Sequence, residues 1–163
     1  MREIAERVAR VKRPRDVVVA SVHWGENWGY AVPAAQRRFA HALVEDAGVD
    51  VVHGHSSHHP RGLEVWRDRL ILYGCGDLLN DYEGIGGYEA FRSDLTLMYF
   101  PTLDVSTGRL LELELRPMQL KHLRLNRAQP EDARWLGETV CRESARLDTR
   151  IERTADGRLR WAG

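Results

Sequence analysis

His23, His55 and His58 stand where two valine-rich runs stop, and neutral imidazole in that position is a ligand for zinc, iron, nickel or copper and, beside carboxylates, manganese. The first run, Asp16 to His23, leads into Trp24-Gly25-Glu26. The second, Val49 to His53, leads into Gly54-His55-Ser56-Ser57-His58-His59. Open α/β sheets bind ligands beyond the carboxyl ends of their strands, so two adjacent parallel strands bring His23 and the His55/His58 segment to one edge. Gly25 and Gly54 suit backbone that turns sharply or passes close to another group. A lone histidine at a strand end is more often a surface or hydrogen-bonded residue. The weight here comes from two such ends across one β–α–β unit.

The other polar candidates divide. His41 falls on a helix and His122 in a late strand, and both read as structural. His53 reads as buried at its strand's end, and His59 as orienting the loop. Glu26 either orients a histidine, binds substrate or is an ordinary exposed loop carboxylate. Asp77 either places a carboxylate near a metal or caps its loop.

The elements that must hold these residues follow from patterning. Met1 to Pro14 reads as an amphipathic helix with Ile4, Val8 and Val11 on one side. Asp16 to His23 is apolar on both faces, as in a buried parallel strand. Pro33 opens a helix carrying Phe39, Ala40, Leu43, Val44 and Ala47, with Gly48 as its stop. Val49 to His53 is a second buried strand, and the crossover between the two should be right-handed. Leu63 to Trp66 and Leu70 to Tyr73 form a hairpin around Arg67-Asp68-Arg69. Leu95 to Phe100 and Leu110 to Leu115 are strands, and Leu120 to Leu125 adds a further one. Pro130 starts a helix over Trp135, Leu136, Val140 and Cys141, and Ala155-Asp156-Gly157 turns a terminal hairpin. The expectation is one α/β domain over residues 1–163, parallel at its start and antiparallel later.

Composition narrows the function. With 43% hydrophobic and 29% charged residues, the chain can bury a core. Lys+Arg and Asp+Glu are both 24, and no basic stripe is visible, so a nucleic-acid partner is not expected. Cys75 and Cys141 lie too far apart for a CxxC motif, and two thiols in a reducing compartment is the plainer reading. No apolar run approaches the ~20 residues of a membrane span, and no secretory signal is present. A cytoplasmic location is expected, with envelope association through partners.

The order His23-Trp24-Gly25-Glu26, Pro33, Gln36, Ala40-His41, Ala47 to Val52, then Gly54-His55-Ser56-Ser57-His58 resembles the CapA-like family of poly-γ-glutamate capsule biosynthesis, within the calcineurin-like metallophosphoesterase superfamily. Ile71 to Asp77, followed by Asn80-Asp81-Tyr82-Glu83-Gly84-Ile85, looks like that family's closing strand and the loop after it. The resemblance runs from about Asp16 to Met118. It implies a four-layer α/β/β/α sandwich with a mixed sheet and a two-metal site, in which His23, His55 and His58 are metal ligands or touch a bound phosphate, and Glu26 and Asp77 are substrate-side candidates. It also implies divalent ions of the Mn, Fe or Zn type. The family's first half carries a Gly-Asp motif, an Asn-Leu-Glu segment and an Asn-Asn-His segment, and nothing before Asp16 resembles them. The chain therefore looks like a C-terminal half, with an incomplete binuclear site.

Those implications give a metal-dependent hydrolase of capsule biosynthesis, acting on a phosphate ester or an amide-type bond. The alternative is a non-catalytic assembly or polymer-binding subunit with a degenerate site. A mononuclear hydrolase acting alone is a third option, since three protein ligands and water make a workable zinc site. The expected partners are a chain carrying the missing half or a second copy, and a polyanionic polymer or phosphate-ester substrate.

Overall fold

In the computed structural model, which describes residues 1–80, 83 and 85–163, two sheets face each other across one core. The elements are α1 (Arg2–Val11), β1 (Val19–His23), α2 (Ala34–Glu45), β2 (Val51–His55), β3 (Leu63–Trp66), β4 (Arg69–Leu72), a 3₁₀ turn (Glu89–Phe91), β5 (Leu95–Leu103), β6 (Leu110–Leu120), β7 (Leu125–Arg127), α3 (Pro130–Ala145), β8 (Ile151–Arg153) and β9 (Leu159–Trp161). Asp81, Tyr82 and Gly84, part of the loop singled out after the closing strand, lie outside the described residues.

The first sheet has the order β1-β2-β4-β3. β1, β2 and β4 run parallel, and β3 returns antiparallel to β4. The second, in the order β5-β6-β9-β8 with β7 also on β6, is antiparallel throughout. The fold is thus α/β with a mixed sheet, as expected. The four-layer arrangement goes beyond what these elements show.

Between the sheets, Val51, Leu63, Leu70 and Leu72 meet Leu95, Leu97, Leu113 and Leu115, with Leu136 and Val140 of α3. On the other face of the first sheet, Ala40 and Leu43 of α2 cover Val52, Ile71 and Tyr73. Alternation along β2 and β4 supplies both clusters, because successive residues face opposite sides. α3 starts with Pro130 at its first turn and Glu131 and Asp132 beside its positive end. Lys12, just after α1, ties that helix down through Asp50 (2.7 Å) and the Gly48 carbonyl (2.9 Å).

Three expectations need correction. β1 is not buried on both faces. It is the sheet's edge strand, with Val19, Ser21 and His23 exposed and only Ala20 and Val22 packed towards α2. Leu120 to Leu125 is not one strand, because His122 and Leu123 take positive φ and turn β6 into β7. His122 therefore sits in a turn. The second strand also runs two residues further than read, so His53 lies within β2, half-buried, and His55 is its last residue.

Candidate functional site

Parallel pairing puts His23 directly beside His55, the last of five matched pairs from Val19↔Val51 onward. Register partners project to the same side, and the two rings stand edge to face with centroids 5.2 Å apart. His53, two residues back on the same face, lies 5.8 Å from His55. Its imidazole is shifted towards the neutral form by burial and then by His55. The ladder continues past the strands, since the Trp24 N–H donates to the His55 carbonyl at 3.0 Å.

The strand ends are held by close packing. The Trp24 indole N–H donates to the Tyr73 carbonyl at 3.1 Å and its ring stacks on Tyr73. To do so it crosses Gly54, where a Cβ would stand 2.3 Å from the indole nitrogen and 2.5 Å from the Leu72 carbonyl oxygen. Gly25, at φ +76°, makes the turn beyond β1. Both glycines are required for the reasons the sequence suggested.

His58 joins this edge from the loop. Its N–H donates to the Asn27 carbonyl at 3.1 Å, linking the two loops beyond β1 and β2. Its Nδ1 lies 3.0 Å from Asp77 Oδ2. Asp77 is delivered by the Pro60–Cys75 bridge and by Gly76, whose φ is +75° and where a Cβ would meet Pro60 Cδ at 2.8 Å. A carboxylate accepting from Nδ1–H fixes the ring and puts its lone pair on Nε2, as outer partners of metal-binding histidines do. Glu26 is exposed in the loop after β1 and makes no hydrogen bond or ion pair among the described residues.

The remaining histidines are structural. His41 Nε2 lies 3.0 Å from both Glu64 oxygens, and its ring stacks on Trp66 at 3.9 Å. His59 is fully buried against Trp28, Tyr30 and Phe91, with Nδ1 3.1 Å from the Pro60 carbonyl, and anchors the loop. Burial pushes its imidazole down to about 4.

Among the described residues, no three histidine, cysteine, aspartate or glutamate side chains gather closely enough to hold a metal ion. Among the described residues His23 stands with His55 and His58 with Asp77. An ion bound here needs further ligands.

One group was missed in the sequence. Arg61 is 3% exposed, with its Nη2 on the Ala31 carbonyl and its Nε and Nη1 without partners among the described residues. The Gln36 amide, also unpartnered, lies beside it under Gly25. An arginine three residues after His58 gave no periodic signal, and its burial depends on Gly74, whose missing side chain leaves room for the Arg61 stem.

A mixed sheet whose parallel strands end in paired histidines, with a carboxylate–histidine pair beside them, marks an α/β protein with a polar site at its sheet edge. The model of the bacterial capsule synthesis protein family PGA_cap matches residues 1–82, and the chain belongs to that family. It is 48% identical over 157 residues to a probable polyglutamine synthesis accessory protein of Mycobacterium tuberculosis, covering 96% of this chain and 41% of the relative. It is 26% identical over 152 residues to the PGA biosynthesis protein CapA of Bacillus subtilis (93% and 37%), and 30% identical over 82 residues to the capsule biosynthesis protein CapA of Bacillus anthracis (48% and 20%). The chain spans about two fifths of the length of the relatives it matches along most of its own.

Proposed function

We propose that this chain serves the biosynthesis of a capsule-type glutamate polymer, and that its histidine edge supplies one side of a divalent-metal centre. The observation that supports this most is the His23↔His55 register, with His58 and Asp77 at the same edge. A bound Mn, Fe or Zn ion would act as a Lewis acid in hydrolysis or transfer at a phosphate ester or amide-type bond. His23 and His55 offer imidazole donors, and Asp77 holds the His58 ring in one orientation. Arg61 places a positive charge under the loop that an anionic group would meet, and Glu26 stands at the exposed side where substrate enters. The carboxylates that complete the centre come from a second polypeptide segment or chain.

The second reading is a non-catalytic assembly or polymer-binding subunit. Among the described residues no three donor side chains gather at one point, which favours it over a mononuclear hydrolase acting alone. Metal content by plasma mass spectrometry, with thermal unfolding in added ZnCl₂ or MnCl₂, separates the readings. The metal-site account expects bound zinc and a raised Tm, both lost in His23→Ala and His55→Ala. Zinc should bind more tightly than manganese, because the paired donors are nitrogens. Metal-free protein, with Tm unmoved by either salt, would favour the subunit reading.

A further inference from the structure

On the second sheet, apart from the β1 and β2 strand ends that carry His23 and His55, a groove of about 750 Å³ crosses the outer face. That volume falls among ligand clefts of ~300–1,000 Å³. Its floor comes from alternation along β5 and β6. Met98 and Phe100 point away from the core that Leu97 and Leu113 fill, and Arg116 faces Met98 across the strand pair. Phe100 is 41% exposed, and the Arg116 guanidinium sits over its ring at 4.9 Å.

The walls carry the charge. Arg116, Arg127, Arg134, Arg153 and Arg158 line the groove against a single lining carboxylate, Asp156. In a chain whose formal charge is zero, this is a local concentration of positive charge. Arg116 and Arg158 lean on Glu114, Arg158 also on Asp156, and Arg153 on Glu138 at 3.3 Å. The Arg127 and Arg134 guanidiniums have no ion pair or hydrogen bond among the described residues. Exposed ion pairs of this kind contribute little to stability, so an incoming carboxylate can replace the resident one at small cost.

We propose that this groove binds a polycarboxylate polypeptide, with arginines on its walls pairing the carboxylates and the Met98–Phe100 floor taking the methylenes of the chain between them. Guanidinium matches carboxylate in a two-pronged geometry, and methionine adapts to a repeating, flexible ligand. An apolar floor between guanidinium walls fits carboxylates spaced along a methylene-containing polyamide chain better than a phosphodiester backbone. The choice of a glutamate polymer as the biological ligand rests on the proposed function; the groove's chemistry does not depend on the metal.

The test is fluorescence anisotropy of labelled poly-γ-glutamate with the full chain, at several salt concentrations. Binding should weaken as salt rises. Arg127→Glu/Arg134→Glu, both exposed positions, should lose at least tenfold in affinity with circular dichroism and Tm unchanged. His23→Ala/His55→Ala should bind the polymer as the parent does, so failure of the metal site and failure of the groove remain separable. Absence of binding at low salt, equal binding by the charge-reversed variant, or tighter binding of an oligonucleotide of equal charge would overturn the proposal. So would self-association in sedimentation that Arg127→Glu/Arg134→Glu abolishes, which would assign the groove to a second copy of the chain.

Discussion

His59 shows how one side chain can set the acid limit of this protein. It is buried without exposure, its Nδ1 faces the Pro60 carbonyl and its Nε2 has no partner, so only the neutral ring fits. With a folded value of about 4 against 6.5 when unfolded, the unfolded chain binds the proton first as pH falls. Stability is therefore full above pH ~6.5 and lost between there and pH ~4, by about 3 kcal/mol from this residue. Chemical denaturation from pH 7 to 4 should show that loss, and His59→Phe, which keeps an aromatic ring in place, should flatten it. A parent slope no steeper than the variant's would refute the assignment. Gly54 carries a different constraint. Gly54→Ala forces a methyl into the Trp24 indole and the Leu72 carbonyl. It should cost at least about 2 kcal/mol in urea unfolding and displace His55 from His23. A variant as stable as the parent would mean that the strand ends tolerate more separation than this packing implies.

At the scale of elements, Glu64 ties β3 to α2 and to Tyr73, the residue after β4. It is 1% exposed and accepts from Arg37 (2.7 Å), the Tyr73 hydroxyl (2.6 Å) and His41 (3.0 Å). Glu64→Ala leaves buried donors without a partner and should cost about 3–5 kcal/mol, with Glu64→Gln intermediate. A loss under 1 kcal/mol in denaturant titration would show that the network is decorative. None of this was legible in the sequence, because a glutamate in a hairpin strand carries no local sign of burial and Arg37 and His41 reach it from α2. The hairpin itself, the helices opened by Pro33 and Pro130, and the parallel pair were legible, since period and terminal residues encode them locally. The edge position of β1 was not. Its valines read as a strand buried on both sides, and which strand has a neighbour is a property of the sheet, not of the segment. The histidine edge was legible because register follows from two short runs. The pairing of His58 with Asp77 and the burial of Arg61 were not, because loop geometry sets them.

For the whole molecule, the open side of β1 is the feature with consequences. No strand among the described residues pairs with it, and Val19 is 56% exposed there. An uncovered edge is a template for another strand. Sedimentation at rising concentration should show self-association, and Val19→Lys should reduce it. A monomer at every concentration would mean that this edge awaits a different chain. Among the described residues no helix is long and apolar enough to cross a membrane.

The central claim is that His23 and His55 act as a pair of metal donors. Imidazole ¹H–¹⁵N spectra during ZnCl₂ titration test it most directly. The account predicts that the His23 and His55 ring signals shift together and saturate at the same zinc concentration, while His41, held between Glu64 and Trp66, and His122, in its turn, stay put. Signals that move independently, or not at all, would contradict it.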